Sequence, residues 1–128
     1  MHFKTPRGEV AFEISDEWWR FAEMDTFTSQ GGRFYPYRAL RGDQEIDAIS
    51  LIDVEPPMRN SEVSPFKKYK MVPILFAFCS PECALPPVEV NVFVEPAAYR
   101  FKVLDGYHRY YASIAVGYPL LPIMIRPS

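Results

Sequence analysis

The chain has 128 residues, of which 48% are hydrophobic and 16% are aromatic, with a net charge of −2. This length suits one domain, and the composition excludes an intrinsically disordered protein. The charge balance excludes a large basic field for nucleic acid, and no apolar run approaches the about 20 residues that span a bilayer. Because the N-terminus also lacks a secretory signal, we expect one cytoplasmic domain over 1–128 with no membrane partner.

The first predicted elements are a strand and a short helix. Residues 9–14 alternate apolar and polar side chains, which predicts a half-buried strand with Val10, Phe12 and Ile14 on one face. Ser15 follows as a candidate N-cap, and the spacing of the apolar residues predicts a helix over 18–24.

Residues 25–44 are predicted to form a loop, and its aromatic part, 34–41, has two interpretations. The aromatic side chains either pack down on the sheet from a surface loop, or they form an edge that binds a protein partner. Aromatic and arginine side chains are enriched at interfaces, so the second interpretation stays open.

The middle of the chain reads as two strands separated by a polar segment. Residues 45–54 are predicted to form a strand that Pro56 and Pro57 end. The polar segment that follows is interpreted as a solvated face and ends in three lysines: Lys67, Lys68 and Lys70. Residues 71–78 form a continuous apolar run, for which we expect a buried strand, although periodicity does not distinguish it from a helical segment.

A β-hairpin over 87–104 is the clearest predicted element. Its first strand has one fully apolar face, formed by Val88, Val90, Val92 and Val94. The pair is predicted to lie at the centre of a small mixed sheet with few helices, an α+β fold. A helix follows and ends at Gly117, and 120–125, interrupted by Pro122, is predicted to be an edge strand.

The two cysteines, Cys79 and Cys83, are predicted to be reduced and metal-free. A reducing compartment disfavours a disulfide, and a zinc site needs about four ligands, which the chain does not offer.

The junction between the second hairpin strand and the helix carries the candidate chemistry. Gly106 allows a tight turn, and the first N–H groups of a helix have no acceptor within it, so this junction is suited to an anion. His108 and Arg109 fall in the first turn, and a guanidinium binds phosphate through two parallel hydrogen bonds. Asp105 has a second interpretation as the N-cap of the helix.

The same residues resemble the ParB/sulfiredoxin superfamily. ParB-type members carry a Gly-x-x-Arg-x-x-Ala box that opens a helix after a strand, and Gly106, Arg109 and Ala112 have that spacing. The segment 55–59, which contains Arg59, is similar to the proline- and arginine-containing element upstream of the box. The resemblance covers about 45–128, so 1–44 is predicted to be an N-terminal extension of strand, helix and loop.

Sulfiredoxins have a nucleophilic cysteine in this box, and here Tyr107 occupies that position. Reduction of sulfinic acids is therefore not expected.

The resemblance implies nucleotide-phosphate binding, with an NTP (ATP or CTP) and Mg²⁺ as ligands. The implied phosphate-binding residues are Gly106, Tyr107, His108, Arg109 and Arg59, and the implied catalytic residues of a slow NTPase are His108 and Asp105. Arg109 is expected to be the main phosphate contact, with no buried partner, so that its removal would leave folding unchanged.

Two other functions remain open. The first is a ParB-like nuclease that binds DNA with the help of Lys67, Lys68 and Lys70. The second is a non-catalytic protein-interaction module that uses the 34–41 loop.

Overall fold

The computed structural model describes residues 1–24, 47–58, 66–79, 85–95 and 97–127. These residues form seven strands and three α-helices. In chain order the elements are β1 (His2–Lys4), β2 (Ala11–Glu13), α1 (Asp16–Phe21), β3 (Asp47–Ser50), a 3₁₀ turn (Leu51–Asp53), β4 (Val54–Glu55), α2 (Lys68–Cys79), β5 (Val88–Val92), β6 (Phe101–Asp105), α3 (Tyr107–Ala115) and β7 (Leu120–Ile125).

A five-stranded mixed sheet has the order β3-β7-β5-β6-β4. Strand β5 runs antiparallel to β6 and parallel to β7, while β4 runs parallel to β6 at one edge. The α+β class and the central position of the hairpin are therefore confirmed. The alternation predicted for β5 holds in its first part, where Val88 and Val90 are fully buried and the residues between and beside them, Glu89 and Asn91, are half-buried. The predicted apolar face does not extend further, because Val92 and Val94 are exposed.

The N-terminal segment forms a second, two-stranded sheet that packs on the same core. Strand β1 pairs antiparallel with β2 in the register Phe3↔Phe12. Phe12 lies edge-on to Tyr111 of α3, with 4.9 Å between the ring centroids. Arg7, in the turn between the two strands, donates to the carbonyl oxygens of Ile52 (3.0 Å) and Ala98 (2.8 Å). The turn is thus tied to two loops of the larger sheet.

The apolar run 71–78 lies in helix α2, so the predicted strand is wrong. Met71, Leu75 and Phe78 are buried at helical spacing. Pro73 lies inside the helix, and both Pro73 and Phe76 face outward. Because apolar residues occupy the outer face as well, the helical period is hidden in the sequence.

Two further strand predictions need correction. The predicted strand over 45–54 is divided, because the 3₁₀ turn separates β3 from β4 and sends them to opposite edges of the sheet. Strand β7 lies between β3 and β5 and is not an edge strand. Its ladder with β5 begins at Val88↔Ile123, one residue beyond Pro122, so the missing N–H of Pro122 interrupts none of those pairs.

Helix α3 ends as its sequence predicts. Gly117 has φ +88°, the left-handed conformation that glycine adopts at low cost. The N–H of Gly117 donates to Ile114 O at 3.0 Å, and the N–H of Tyr118 donates to Ser113 O at 3.1 Å. This pair of bonds is a Schellman motif, and it turns the chain into β7.

Candidate phosphate-binding site

The turn from β6 into α3 is made by Gly106, which has φ +118° and is the N-cap residue of the helix. A Cβ atom at this position would lie 3.1 Å from both Cγ atoms of Val88 and 3.3 Å from Nη2 of Arg109. Glycine is therefore required both for the backbone conformation and for the close approach to β5. Glycine brings no capping side chain, and the start of α3 has no side-chain cap.

A pocket of about 480 Å³ opens at this helix end. Its walls are the junction Asp105–Arg109, Pro57 and Met58 after β4, and Lys70 and Ile74 of α2. Strands β4 and β6 are parallel, so their carboxyl ends lie at the same edge of the sheet and bring these segments together. The volume is in the range of small-ligand sites, about 300–1,000 Å³.

Arg109 lies at the pocket, but most of its guanidinium is used within the chain. Nη1 donates to the carbonyl oxygens of Pro86 (2.6 Å) and Pro87 (2.9 Å), and Nη2 lies 3.3 Å from Oδ2 of Asp105. The Arg109 side chain is only 11% exposed. The expectation that this arginine has no buried partner is therefore wrong, because the segment before β5 supplies two carbonyl acceptors.

His108 is buried, with 5% of its surface exposed, although it forms part of the pocket wall. Its Nε2 atom accepts the backbone N–H of Lys67 at 3.0 Å. In this hydrogen bond Nε2 is the acceptor. The Nε2 atom thus contacts the backbone of Lys67, and the predicted role of His108 as a proton acceptor stays a prediction.

Of the other predicted residues, Tyr107 and Asp105 line the pocket and Arg59 lies outside the described residues. Asp105 is the last residue of β6 and not the N-cap, and its side chain is 70% exposed. The structure also separates the three lysines, because Lys70 lines the pocket whereas Lys67 and Lys68 are not among its lining residues. The sequence predicted Lys70 to lie on a solvated face, because 71–78 was expected to be a strand. In the helix α2, Lys70 and Ile74 lie four residues apart on the same side, and both line the pocket.

Tyr111 of α3 contacts one of the residues that line the pocket. The Tyr111 hydroxyl donates to Pro57 O at 2.7 Å and so fixes the segment that follows β4. Burial raises the pKa of both Tyr110 and Tyr111, and neighbouring tyrosines raise it further. Both hydroxyls therefore keep their protons throughout the neutral range.

The predicted Mg²⁺ has one carboxylate at the pocket, that of Asp105. No group of three His, Cys, Asp or Glu residues comes together in the described parts of the chain. A magnesium ion here would therefore take most of its oxygen ligands from phosphate groups and water. Cys83 and the 34–41 loop lie outside the described residues, so the predictions made for them remain predictions.

Across the described ranges, no helix is both long and apolar enough to cross a bilayer.

Comparison with known proteins gave one structural similarity. The fold is similar to a crystal structure of the C-terminally truncated chromosome-partitioning protein ParB from Caulobacter crescentus complexed with CTP-gamma-S, with a TM-score of 0.47 and 17% identity. The similarity covers 66% of this chain and 45% of that one, so this chain matches less than half the length of its neighbour. No protein-family model matches the chain, and no curated protein matches it.

Proposed function

We propose that this protein is a nucleotide-phosphate-binding domain of the ParB/sulfiredoxin type. The observation that carries the proposal is the start of α3, which opens without a capping side chain onto a 480 Å³ pocket that Lys70 also lines. The Gly-x-x-Arg-x-x-Ala box of residues 106–112 supports the same assignment.

The phosphates bind at the first turn of α3. The positive end of the helix dipole attracts negative charge to this end of the helix. Lys70 supplies a mobile positive charge from the facing helix. Arg109 is bonded to the carbonyl oxygens of Pro86 and Pro87, so it contributes mainly by holding the junction in shape. Its positive charge also attracts the phosphates.

The pocket also has an apolar wall, formed by Met58, Ile74 and Tyr107. This wall gives a nucleoside a surface to contact while its phosphates reach the helix end. A nucleoside triphosphate is therefore a better match to the pocket than an isolated phosphate ion.

Turnover of the nucleotide is a separate proposal. Asp105 and His108 are its predicted catalytic residues, and the side chain of Asp105 is 70% exposed, so water can reach its carboxylate. The nuclease and interaction-module functions also remain predictions. Lys67 and Lys68 would serve the first, and the 34–41 loop would serve the second.

The test is a thermal-shift panel of ATP, CTP, GTP and UTP, each with and without Mg²⁺. A ligand at 100 times its Kd stabilises the folded state by about 2.7 kcal/mol, which is a readily measured shift. We expect Lys70→Ala to reduce this shift. Lys68→Ala is the matched control on the same helix, since Lys68 lies 4.2 Å from the Phe21 ring and not at the pocket. If no nucleotide shifts the melting temperature of the wild type, the proposal fails.

A further inference from the structure

We propose that His108 is a positioning residue that holds the first turn of α2 in place and thereby holds Lys70 at the pocket. The inference rests on the proposed function, because Lys70 matters only if the pocket binds phosphate. It assigns to the side chain of His108 a role different from direct contact with the ligand.

The connection runs through one residue, Lys67. The N–H of Lys67 donates to Nε2 of His108 at 3.0 Å. Its carbonyl oxygen accepts from the N–H of Lys70 at 3.0 Å and from that of Met71 at 2.9 Å. The N–H of Lys67 is thus bonded to α3, and its carbonyl oxygen accepts the first hydrogen bonds of α2. Lys70 is therefore bonded directly to the residue that His108 holds.

The imidazole of His108 is itself held rigidly. It is buried and lies edge-on to Phe66, with 5.7 Å between ring centroids. Phe66 is buried as well and packs against Tyr107 (5.7 Å) and Tyr111 (5.4 Å). A ring fixed in this way provides an acceptor at a constant position, which a surface histidine would not.

The start of α2 needs such support. Pro73 has no N–H to donate to the carbonyl of Tyr69, so the first turn lacks one of its regular hydrogen bonds. The side chains of Lys67, Lys68 and Tyr69 are exposed and add little packing. Helix ends with few buried contacts open easily, so the bond from Lys67 to His108 restricts where Lys70 can lie.

The experiment is a double-mutant cycle with inorganic tripolyphosphate as the probe, titrated by calorimetry. Loss of a hydrogen bond to a charged group predicts about a tenfold weaker affinity for Lys70→Ala. His108→Leu removes the acceptor and is expected to lose a similar factor in the wild-type background. In the Lys70→Ala background, His108→Leu is expected to change the affinity less than twofold, because the ammonium group that His108 positions is then absent.

Two further variants separate positioning from general destabilisation. His108→Gln keeps an acceptor near the position of Nε2 and is expected to retain affinity within about twofold of the wild type. Ser113→Ala is the control for a buried change in α3, since its hydroxyl bonds to the carbonyl oxygen of Arg109 within the same helix. It is expected to lower the melting temperature without the Lys70-dependent loss of affinity.

The outcomes distinguish the two proposals. If the wild type does not bind tripolyphosphate or any nucleotide, both fail. If the wild type binds but the effects of His108→Leu and Lys70→Ala multiply, only the positioning role fails. If His108→Leu does not fold, His108→Gln decides, and a folded His108→Gln that binds as weakly as Lys70→Ala overturns the positioning role.

Discussion

The carbonyl oxygen of Pro86 lies 2.6 Å from Nη1 of Arg109, and that of Pro87 lies 2.9 Å from the same atom. Prolines offer a backbone acceptor but no donor, while a guanidinium offers five donors and no acceptor. Arg109 therefore supplies hydrogen-bond donors to the carbonyl oxygens of Pro86 and Pro87. In doing so it ties the segment just before β5 to the first turn of α3.

We predict that Arg109→Ala destabilises the protein by about 2–3 kcal/mol, since it removes charged hydrogen bonds and leaves carbonyl groups without a donor. Arg109→Lys should recover only part of this loss, because an ammonium group does not reproduce the fork of the guanidinium. Urea denaturation of the unliganded protein measures the effect. Arg100→Ala is the control, since Arg100 is 72% exposed and lies 3.9 Å from its carboxylate partner. Equal stability of Arg109→Ala and the wild type would contradict the structural role.

The turn at Gly106 gives a second prediction. Gly106→Ala places a methyl group 3.1 Å from Val88 and at φ +118°, so we expect a loss of about 1–3 kcal/mol or more. Gly8→Ala is a matched control, because Gly8 also has a positive φ (+73°) but has open space around the added Cβ. The difference between the two losses of stability, measured by denaturant unfolding, isolates the contact with β5. A smaller loss for Gly106→Ala than for Gly8→Ala would show that Val88 yields without cost.

The neighbouring hydroxyls of Tyr110 and Tyr111 should respond differently to the same change. Tyr111→Phe removes the bond to Pro57 and should cost about 1 kcal/mol. The Tyr110 hydroxyl is buried and has no hydrogen-bond partner within the described residues, so Tyr110→Phe should be neutral or stabilising. Thermal and urea unfolding of both variants test this, and a larger cost for Tyr110→Phe would reveal a partner for that hydroxyl.

Stability should fall at alkaline pH. Burial raises the pKa of Tyr110 and Tyr111, so the folded state favours the protonated form of each. In the unfolded chain a tyrosine ionises near about pH 10. The stabilisation is therefore fully present below about pH 10 and is lost as the pH rises from there toward the folded-state pKa values. Urea unfolding at several pH values from 8 to 11 should show this decline.

The Tyr111→Phe variant should show a shallower alkaline decline than the wild type. Tyr69→Phe is the control, since Tyr69 is 69% exposed, and its decline should match that of the wild type. The same slope in all three proteins would show that buried tyrosines do not cause the loss.

The parts of the fold that the sequence predicted are those with a local signal. Alternating valines predict β5 from a few adjacent residues, and a glycine after a helical segment predicts the end of α3 in the same way. The glycine junction between β6 and α3 is predictable for the same reason, because strand, Gly106 and helix follow one another in the chain. These features depend on neighbours within a few residues.

The parts that it missed depend on distant contacts. Helix α2 was expected to be a strand because apolar residues on its outer face hide the helical period. Strand β7 was placed at an edge because Pro122 reads as an edge signal, whereas the register with β5 starts beyond it. Arg109 was expected to await a phosphate because nothing in the local sequence shows that Pro86 and Pro87 reach it across more than 20 residues.

The interior position of β7 has a consequence for how the protein folds during synthesis. Strand β3 pairs with β7 at one edge of the sheet, so the pair Ile49↔Leu121 cannot form until β7 has been synthesised. Until β7 leaves the ribosome, the backbone edge of β5 that pairs with it is unpaired as well. Strands β4, β5 and β6 can pair before β7 is made, whereas β3 can join the sheet only after it. Until β7 has been made, the nascent chain therefore carries open strand edges that invite association.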